Sequence, residues 1–163
     1  MGRYALTKLA PPQPLASMTR LEQLLIKHEG YRNKVYNDSL GIPTIGVGHN
    51  LIHGLSNRTV DFILEEDIDN AMQACFRHLP FFHTLDTVRQ DMLIEMCFNM
   101  GIATLLTFKN SLSALFSKDW TAAEEGFRAS KWAKQVGEKR VNDICHMVRT
   151  GEYPIKGDGS WIY

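Results

Sequence analysis

Residues 28–51 read HEGYRNKVYNDSLGIPTIGVGHNL, and the change of pattern within this stretch determines the fold class that we predict. The stretch begins at the end of a helical pattern. Gly30 is placed to terminate that helix in a left-handed turn. The residues that follow are rich in strand formers, while Asp38 and Gly41 supply turn chemistry. We therefore predict a small antiparallel hairpin or meander directly after a helix.

Helical patterns lie on both sides of this stretch. Thr19 and Glu22 have the spacing of a capping box at the start of the first helix. After the sheet, Ser56 is expected to cap a long helix that ends near Leu79. Further helices are predicted over about 85–100, 102–107, 110–117, 119–129 and 138–149. The sequence thus predicts an α+β fold that is mostly α.

The composition is that of an ordinary globular domain. The chain has 163 residues, of which 44% are hydrophobic and 22% are charged. Eighteen basic and eighteen acidic residues give zero net charge, so we expect no general attraction for nucleic acid or anionic lipid. No stretch approaches the ~18 uncharged residues of a membrane span, and no membrane anchor is expected.

The N-terminal segment and the cysteines indicate where the domain begins and which cellular environment it occupies. Residues 1–18 contain three prolines and are expected to form an extended arm ahead of a single domain at 19–163. The arm lacks the pattern of a signal peptide. Cys75, Cys97 and Cys145 are far apart and lack metal-ligand spacing, so we predict three buried free thiols in a reducing compartment and no metal site.

Two carboxylates in unlike positions are the candidate catalytic groups. Glu29 ends a helix, Asp38 lies in a turn nine residues later, and Thr44 follows six residues beyond. Cleavage of a glycosidic bond uses one protonated and one ionised carboxyl group. Apolar neighbours such as Leu25 are expected to desolvate Glu29 and to favour its protonated form. The spacing alone, however, favours a purely structural interpretation, in which Asp38 forms an Asx turn.

A wider set of residues resembles a known family. The motif E-G, then Y-x-D-x-x-G, then T-I-G-x-G-H runs from Glu29 to His49. It resembles the active-site segment of phage lysozymes of the T-even type, glycoside hydrolase family 24. Similar segments follow as LDTVRQDMLIEMCFNMG, TFKNSL, DWTAAEEGFRASKW and KRVNDICHMVRTGEY. The resemblance covers residues from about 20 to 154.

This resemblance implies a two-lobed lysozyme fold and a muramidase. The small lobe would span about 19–55, a connecting helix about 56–79 and a helical lobe about 80–163, with a cleft between the lobes. The implied reaction is hydrolysis of the β-1,4 bond between N-acetylmuramic acid and N-acetylglucosamine in peptidoglycan. No cofactor is implied, because an acid, a base and water supply the chemistry.

The resemblance also implies residue roles. Glu29 matches the general acid, Asp38 the carboxylate that directs the attacking water, and Thr44 the residue that helps to hold that water. The expected contacts with the glycan are Asn50, Phe98, Ser111 and Asn99, the last beside Glu29. Gly126 stands where the family example has an asparagine, and it is not counted among the expected contacts.

The biological setting follows from the same resemblance. It implies a monomeric phage or prophage endolysin that acts on peptidoglycan and lyses the host. The enzyme is expected to stay in the host cytoplasm until a separate holin-type pore gives it access to the periplasm. Two alternatives stay open, a lytic transglycosylase and a non-catalytic cell-wall-binding or virion module. The presence of Glu29, Asp38 and Thr44 together favours the hydrolase.

Overall fold

A computed structural model describes residues 18–157, 159 and 160 of the chain. The α-helices in these residues are α1 (Arg20–Glu29), α2 (Asn57–His78), α3 (Thr87–Met100), α4 (Ile102–Leu105), α5 (Lys109–Phe116), α6 (Trp120–Arg128), α7 (Lys131–Val136) and α8 (Glu138–Thr150). The strands are β1 (Arg32–Asn37), β2 (Pro43–Gly46) and β3 (His49–Asn50). The α+β, mostly helical fold class is therefore confirmed. The predicted arm over residues 1–18 lies outside the described residues except for Met18.

The chain divides into two compact units. The N-terminal unit extends to Leu64, and its described residues are 18–64. The C-terminal unit begins at Glu65, and its described residues are 65–157, 159 and 160. The boundary falls inside α2, and each unit is described by itself below.

Local hydrogen bonds define helix α1 in the N-terminal unit. The Thr19 hydroxyl accepts from the backbone N–H of Glu22 at 3.2 Å, and the Glu22 carboxylate accepts from the backbone N–H of Thr19 at 2.6 Å. This is the predicted capping box. The helix ends at Glu29 because Gly30 adopts a φ of +78°, a conformation that disfavours any residue with a side chain.

The sheet is a three-stranded antiparallel meander in the order β1-β2-β3. Its central strand pairs Thr44 with Tyr36 on one side and with Asn50 on the other. Register irregularity between Arg32 and Tyr36 marks a bulge in β1. The meander confirms the small sheet expected directly after the first helix.

Helix α2 begins where the sequence predicted it. The Ser56 hydroxyl accepts from the backbone N–H of Thr59 at 3.2 Å, which satisfies one of the free donors at the start of a helix. The helix ends at His78, two residues before Pro80. Like the other described helices, α2 is not long and apolar enough to cross a membrane.

The hydrophobic core belongs to the C-terminal unit. Most of its fully buried side chains come from α3, α4, α5, α6 and α8, and they include Met92, Leu105, Leu115, Phe127 and Ile144. Phe108 packs against Phe127 and Trp132, with ring centroids 5.6 and 6.4 Å apart. All three cysteines are free and buried, as predicted.

Two short helical segments were not expected from the sequence. One is α7, which Ser130 caps by accepting from the backbone N–H of Ala133 at 3.2 Å. Gly137 ends it with a φ of +87°. The cap and the terminating glycine are recognisable in the sequence, but six residues are too few for a helical period to stand out. The other is a 3-10 turn over Phe82–Thr84.

Candidate active site

Glu29 is the last residue of α1, and its carboxylate lies against the turn between β2 and β3. A β-carbon on Gly48 would lie 3.2 Å from Oε2 of Glu29. Gly48 also has a φ of +71°, so that both space and backbone conformation favour glycine there. The G-x-G of the motif therefore lets the sheet turn approach the predicted acid.

The expectation that apolar neighbours desolvate Glu29 is wrong for this structure. Glu29 is exposed, and Leu25 retains 46% of its accessible surface. The physical reason is that α1 contains no buried residue. Its apolar side chains therefore provide no buried environment for the carboxyl group.

Asp38 is held in a tight turn between β1 and β2. Its Oδ1 accepts from the backbone N–H of Leu40 at 2.8 Å and of Ile42 at 2.9 Å. The backbone closes the same turn, because the N–H of Asp38 donates to the carbonyl of Ile42 at 3.0 Å. Oδ2 makes no hydrogen bond to any residue that the structure describes. The Asx-turn geometry is thus present, and it leaves one carboxylate oxygen available.

Thr44 lies on the central strand and is 3% exposed. Its hydroxyl donates to the carbonyl of Ile42 at 2.9 Å, so the lone pairs of Oγ1 remain as acceptors. Asn50, its partner on β3, is exposed, and its Oδ1 accepts from the backbone N–H of Ile52 at 2.8 Å. Strand pairing thus brings Thr44 and the predicted glycan contact Asn50 to neighbouring positions.

The remaining predicted glycan contacts lie in the C-terminal unit. Phe98 near the end of α3 is 46% exposed. Its neighbour Asn99 uses Oδ1 to accept from the indole N–H of Trp132 at 3.0 Å. Ser111 on α5 is 4% exposed. The hydroxyl of Ser111 faces Gly126, where a β-carbon would lie 2.3 Å from Oγ.

Arg140 has a partner that the sequence did not indicate. Its Nε donates to Oε1 of Glu95 at 2.6 Å. Burial raises the pKa of Glu95, the charge of Asp143 raises it further, and Arg140 opposes the change. Residues of α3 and α8 that are 45 positions apart meet here, so no sequence spacing would have revealed the pair.

No metal site is evident in the described part of the chain, where no three His, Cys, Asp or Glu side chains come together.

Comparisons with known proteins decide the family. The family model described as phage lysozyme matches residues 26–147, which is most of the chain. The chain belongs to the phage lysozyme family. It is 26% identical over 165 residues to a probable T4-type lysozyme 1 of Dictyostelium discoideum, covering 82% of this chain and 96% of that protein.

Two larger phage proteins are also similar to this chain over part of their length. The pre-baseplate central spike protein Gp5 of Enterobacteria phage T4 is 24% identical over 166 residues, and the chain spans 29% of its length. The peptidoglycan hydrolase gp36 of Pseudomonas phage phiKMV is 28% identical over 144 residues, and the chain spans 16% of its length. The region similar to this chain is therefore nearly the whole of the Dictyostelium relative and a minor part of each of the two phage proteins.

Proposed function

We propose that this phage lysozyme hydrolyses the β-1,4 bond between N-acetylmuramic acid and N-acetylglucosamine in bacterial peptidoglycan. Membership of the family, with a peptidoglycan hydrolase among the relatives, supports a cell-wall hydrolase. The observation that carries the finer proposal is the turn that holds Asp38. Two backbone N–H groups bind one oxygen and orient the other, which suits a carboxylate that must direct a water molecule.

Glu29 is the proposed general acid. Its position at a helix end, above a glycine turn, leaves the carboxyl group exposed to a substrate. Protonation of the glycosidic oxygen would let the leaving sugar depart as an alcohol. Gly48 serves this role passively, since a side chain there would displace the carboxylate.

Asp38 and Thr44 are proposed to handle the water. Oδ2 of Asp38 would accept a proton from the water as it attacks the anomeric carbon, and Oγ1 of Thr44 would accept a hydrogen bond from the same molecule. An inverting reaction of this kind uses carboxyl groups about 6.5–9.5 Å apart, which leaves room for the water. Asn50, Phe98, Asn99 and Ser111 are proposed to contact the glycan.

The biological role proposed is that of a phage endolysin. It would act as a monomer on the peptidoglycan of its host and cause lysis. It would reach the periplasm from the host cytoplasm through a separate holin-type pore. No cofactor takes part in the proposed reaction.

The bond and the reaction can be tested together. Purified protein is incubated with purified Gram-negative peptidoglycan, and the soluble fragments are identified by mass spectrometry. We expect fragments that end in a reducing muramic acid. Anhydro ends would instead assign a lytic transglycosylase and remove the water-directing role of Asp38. A folded sample that releases no fragments would favour a binding module.

The residue roles are tested by two isosteric substitutions. Glu29→Gln should lower turnover at least about a hundredfold, because the carboxamide has no acidic proton to transfer to the glycosidic oxygen. Asp38→Asn should do the same while keeping the turn, since its carbonyl oxygen can still accept both N–H groups. Asp61→Asn, on the exposed surface of α2, is the matched control. Turnover near that of the unmodified protein in either variant would exclude the role given to that carboxylate.

A further inference from the structure

Two of the three cysteines lie next to each other in the core of the C-terminal unit. Cys75 on α2 and Cys97 on α3 are free thiols that keep 0% and 5% of their accessible surface. The Sγ of Cys75 donates to the backbone carbonyl of Leu93 at 3.5 Å. A helical carbonyl accepts from the N–H four residues later, which for Leu93 is that of Cys97. The thiol of Cys75 is therefore placed beside Cys97.

The two thiols also act on each other. Burial raises the pKa of Cys75, and the neighbouring Cys97 raises it further. Burial raises the pKa of Cys97 as well, but the neighbouring S–H of Cys75 opposes that change. Cys97 is thus the thiol of the pair that ionises more readily, and Cys75 is the one that keeps its proton.

The third cysteine is separate from this pair. The Sγ of Cys145 on α8 faces α6, where it lies 4.0 Å from the backbone carbonyl of Glu124. Burial raises the pKa of Cys145 to about 11, and the charges that modify it belong to Arg128, Glu124 and Arg149 rather than to another thiol. Cys145 therefore serves as an internal control for chemistry that needs two adjacent thiols.

We infer that Cys75 and Cys97 form an intramolecular disulfide when a small two-electron oxidant reaches the folded chain. Neither thiol takes part in the proposed reaction, so this modification is additional to it. The bond would connect α2 directly to α3 and would close residues 76–96 into a loop. Such a cross-link restricts the unfolded chain and thereby favours the folded one.

Hydrogen peroxide is an oxidant of the required kind, because it is small enough to reach the exposed edge of Cys97. The thiolate of Cys97 attacks one oxygen, the O–O bond breaks, and water leaves, so that Cys97 becomes a sulfenic acid. The sulfur of Cys75 then attacks that of Cys97, the S–O bond breaks, and a second water leaves. The two thiols together lose two electrons and two protons, and one peroxide becomes two waters.

The proposed route of the enzyme would give this pair a use. That route leads from the host cytoplasm, where thiols stay reduced, to the periplasm, where disulfides persist. The disulfide would then stabilise the C-terminal unit only where the enzyme acts. This use rests on the proposed function, whereas the pairing of the two thiols does not.

The pairing is tested by mapping the disulfide in the full chain. Reduced protein, freed of reductant, is treated with hydrogen peroxide in buffer and, in parallel, in denaturing urea. Remaining thiols are alkylated, and tryptic peptides are identified by mass spectrometry without reduction. In the folded chain we expect one product, which links residues 59–77 to residues 90–109. In urea we expect Cys145 to pair as well, because the unfolded ensemble does not hold two particular thiols together.

Three results would overturn the inference. The first is the absence of the link in the folded chain, and the second is the same mixture of pairings as in urea. The third is a sulfinic acid at Cys97 beside a free Cys75, since the second thiol would then be out of reach. Oxidation of methionine does not confuse these outcomes, because it adds oxygen to a peptide without linking it to another.

Thermal unfolding tests whether the bond joins α2 and α3 as they are packed. Each protein is compared with itself before and after treatment with peroxide. The melting temperature of the unmodified chain should rise by at least about 5 °C. Cys145→Ala, the matched control, keeps the pair and should show the same rise, whereas Cys97→Ala should show none. A linked chain that melts no higher than the reduced one would contradict the inference, because the helices would have to move to form the bond.

These measurements use no peptidoglycan, so their outcome is separate from that of the proposed function. If a linked and stabilised chain releases no fragments from peptidoglycan in either redox state, the proposed function fails and the disulfide stands. If the chain cleaves peptidoglycan but forms no link, the disulfide fails and the proposed function stands.

Discussion

The two units of this phage lysozyme family member differ in how much apolar surface they bury. In the C-terminal unit a continuous core contains the buried aliphatic, aromatic, methionine and cysteine side chains of the described residues. In the described part of the N-terminal unit only Thr44 is classed as buried. Leu21, Leu24 and Leu25 of α1 keep 63%, 47% and 46% of their accessible surface. The unit that carries the predicted catalytic residues therefore depends mainly on hydrogen bonds in caps, turns and strand pairs.

This difference has a consequence for local stability. Segments with few buried apolar contacts open at a lower free energy than a packed core. The turn of Asp38 and the end of α1 at Glu29 are accordingly expected to exchange their amide protons faster than α6 or α8. The predicted catalytic groups therefore lie on the unit that is expected to open at the lower free energy.

The largest effect on the free energy of unfolding is expected when a core side chain is truncated. Phe127 is fully buried, and Phe127→Ala should lower the free energy of unfolding by about 3–5 kcal/mol through lost burial and a cavity. Leu24→Ala on α1 should cost less than about 1 kcal/mol, because the side chain is half exposed. Urea unfolding followed by tryptophan fluorescence measures the first, and amide exchange of α1 measures the second. Similar costs for both would remove the distinction between the units.

A smaller, pH-dependent effect on the free energy of unfolding is expected from Glu95, a partly buried carboxyl group in the C-terminal unit. Oε2 of Glu95 is shielded from water and has no hydrogen-bond partner among the described residues. Burial raises the pKa of Glu95, so the folded state holds this proton more tightly than the unfolded state. The resulting stability is present below the ordinary pKa of a glutamate and is lost as the pH rises through the raised value.

Glu95→Gln tests this linkage. The variant should gain stability relative to the unmodified protein as the pH rises from about 4 to about 7, since it no longer has a buried charge to form. Urea unfolding at both pH values gives the difference, and Glu125→Gln, on the exposed surface of α6, is the control. A difference that does not change with pH would show that Glu95 ionises without cost in the folded state.

The smallest effect on stability is expected when the N-terminal cap of α1 is removed. Thr19→Ala removes the acceptor for the backbone N–H of Glu22, which should cost about 0.5–2 kcal/mol. Because α1 has no buried residue, amide exchange should accelerate within α1 and not in α8. Arg20→Ala, which leaves the capping box in place, is the control. Acceleration throughout both units would mean that α1 unfolds only together with the core.

Much of the fold could be predicted from short-range chemistry. The capping box at Thr19, the glycine at position 30 and the cap at Ser56 all act within four residues, so their patterns are visible in the sequence. Helix α7 was not predicted, because it is only six residues long. For the site, the motif predicted the candidate residues. The expectation that apolar neighbours desolvate Glu29 was wrong. Exposure depends on whether α1 packs against other elements, and local sequence does not contain that information.

The sequence by itself determined most of the elements, with their caps and turns, and the family to which the chain belongs. These follow from backbone conformations and hydrogen bonds between near neighbours, together with a motif that keeps its order over most of the chain. Only the tertiary structure decided that Arg140 pairs with Glu95, that the carboxylate of Glu29 lies over Gly48, and that the hydroxyl of Ser111 faces Gly126. Such contacts join residues that are 15 or more positions apart, and they form only when packing brings distant elements together.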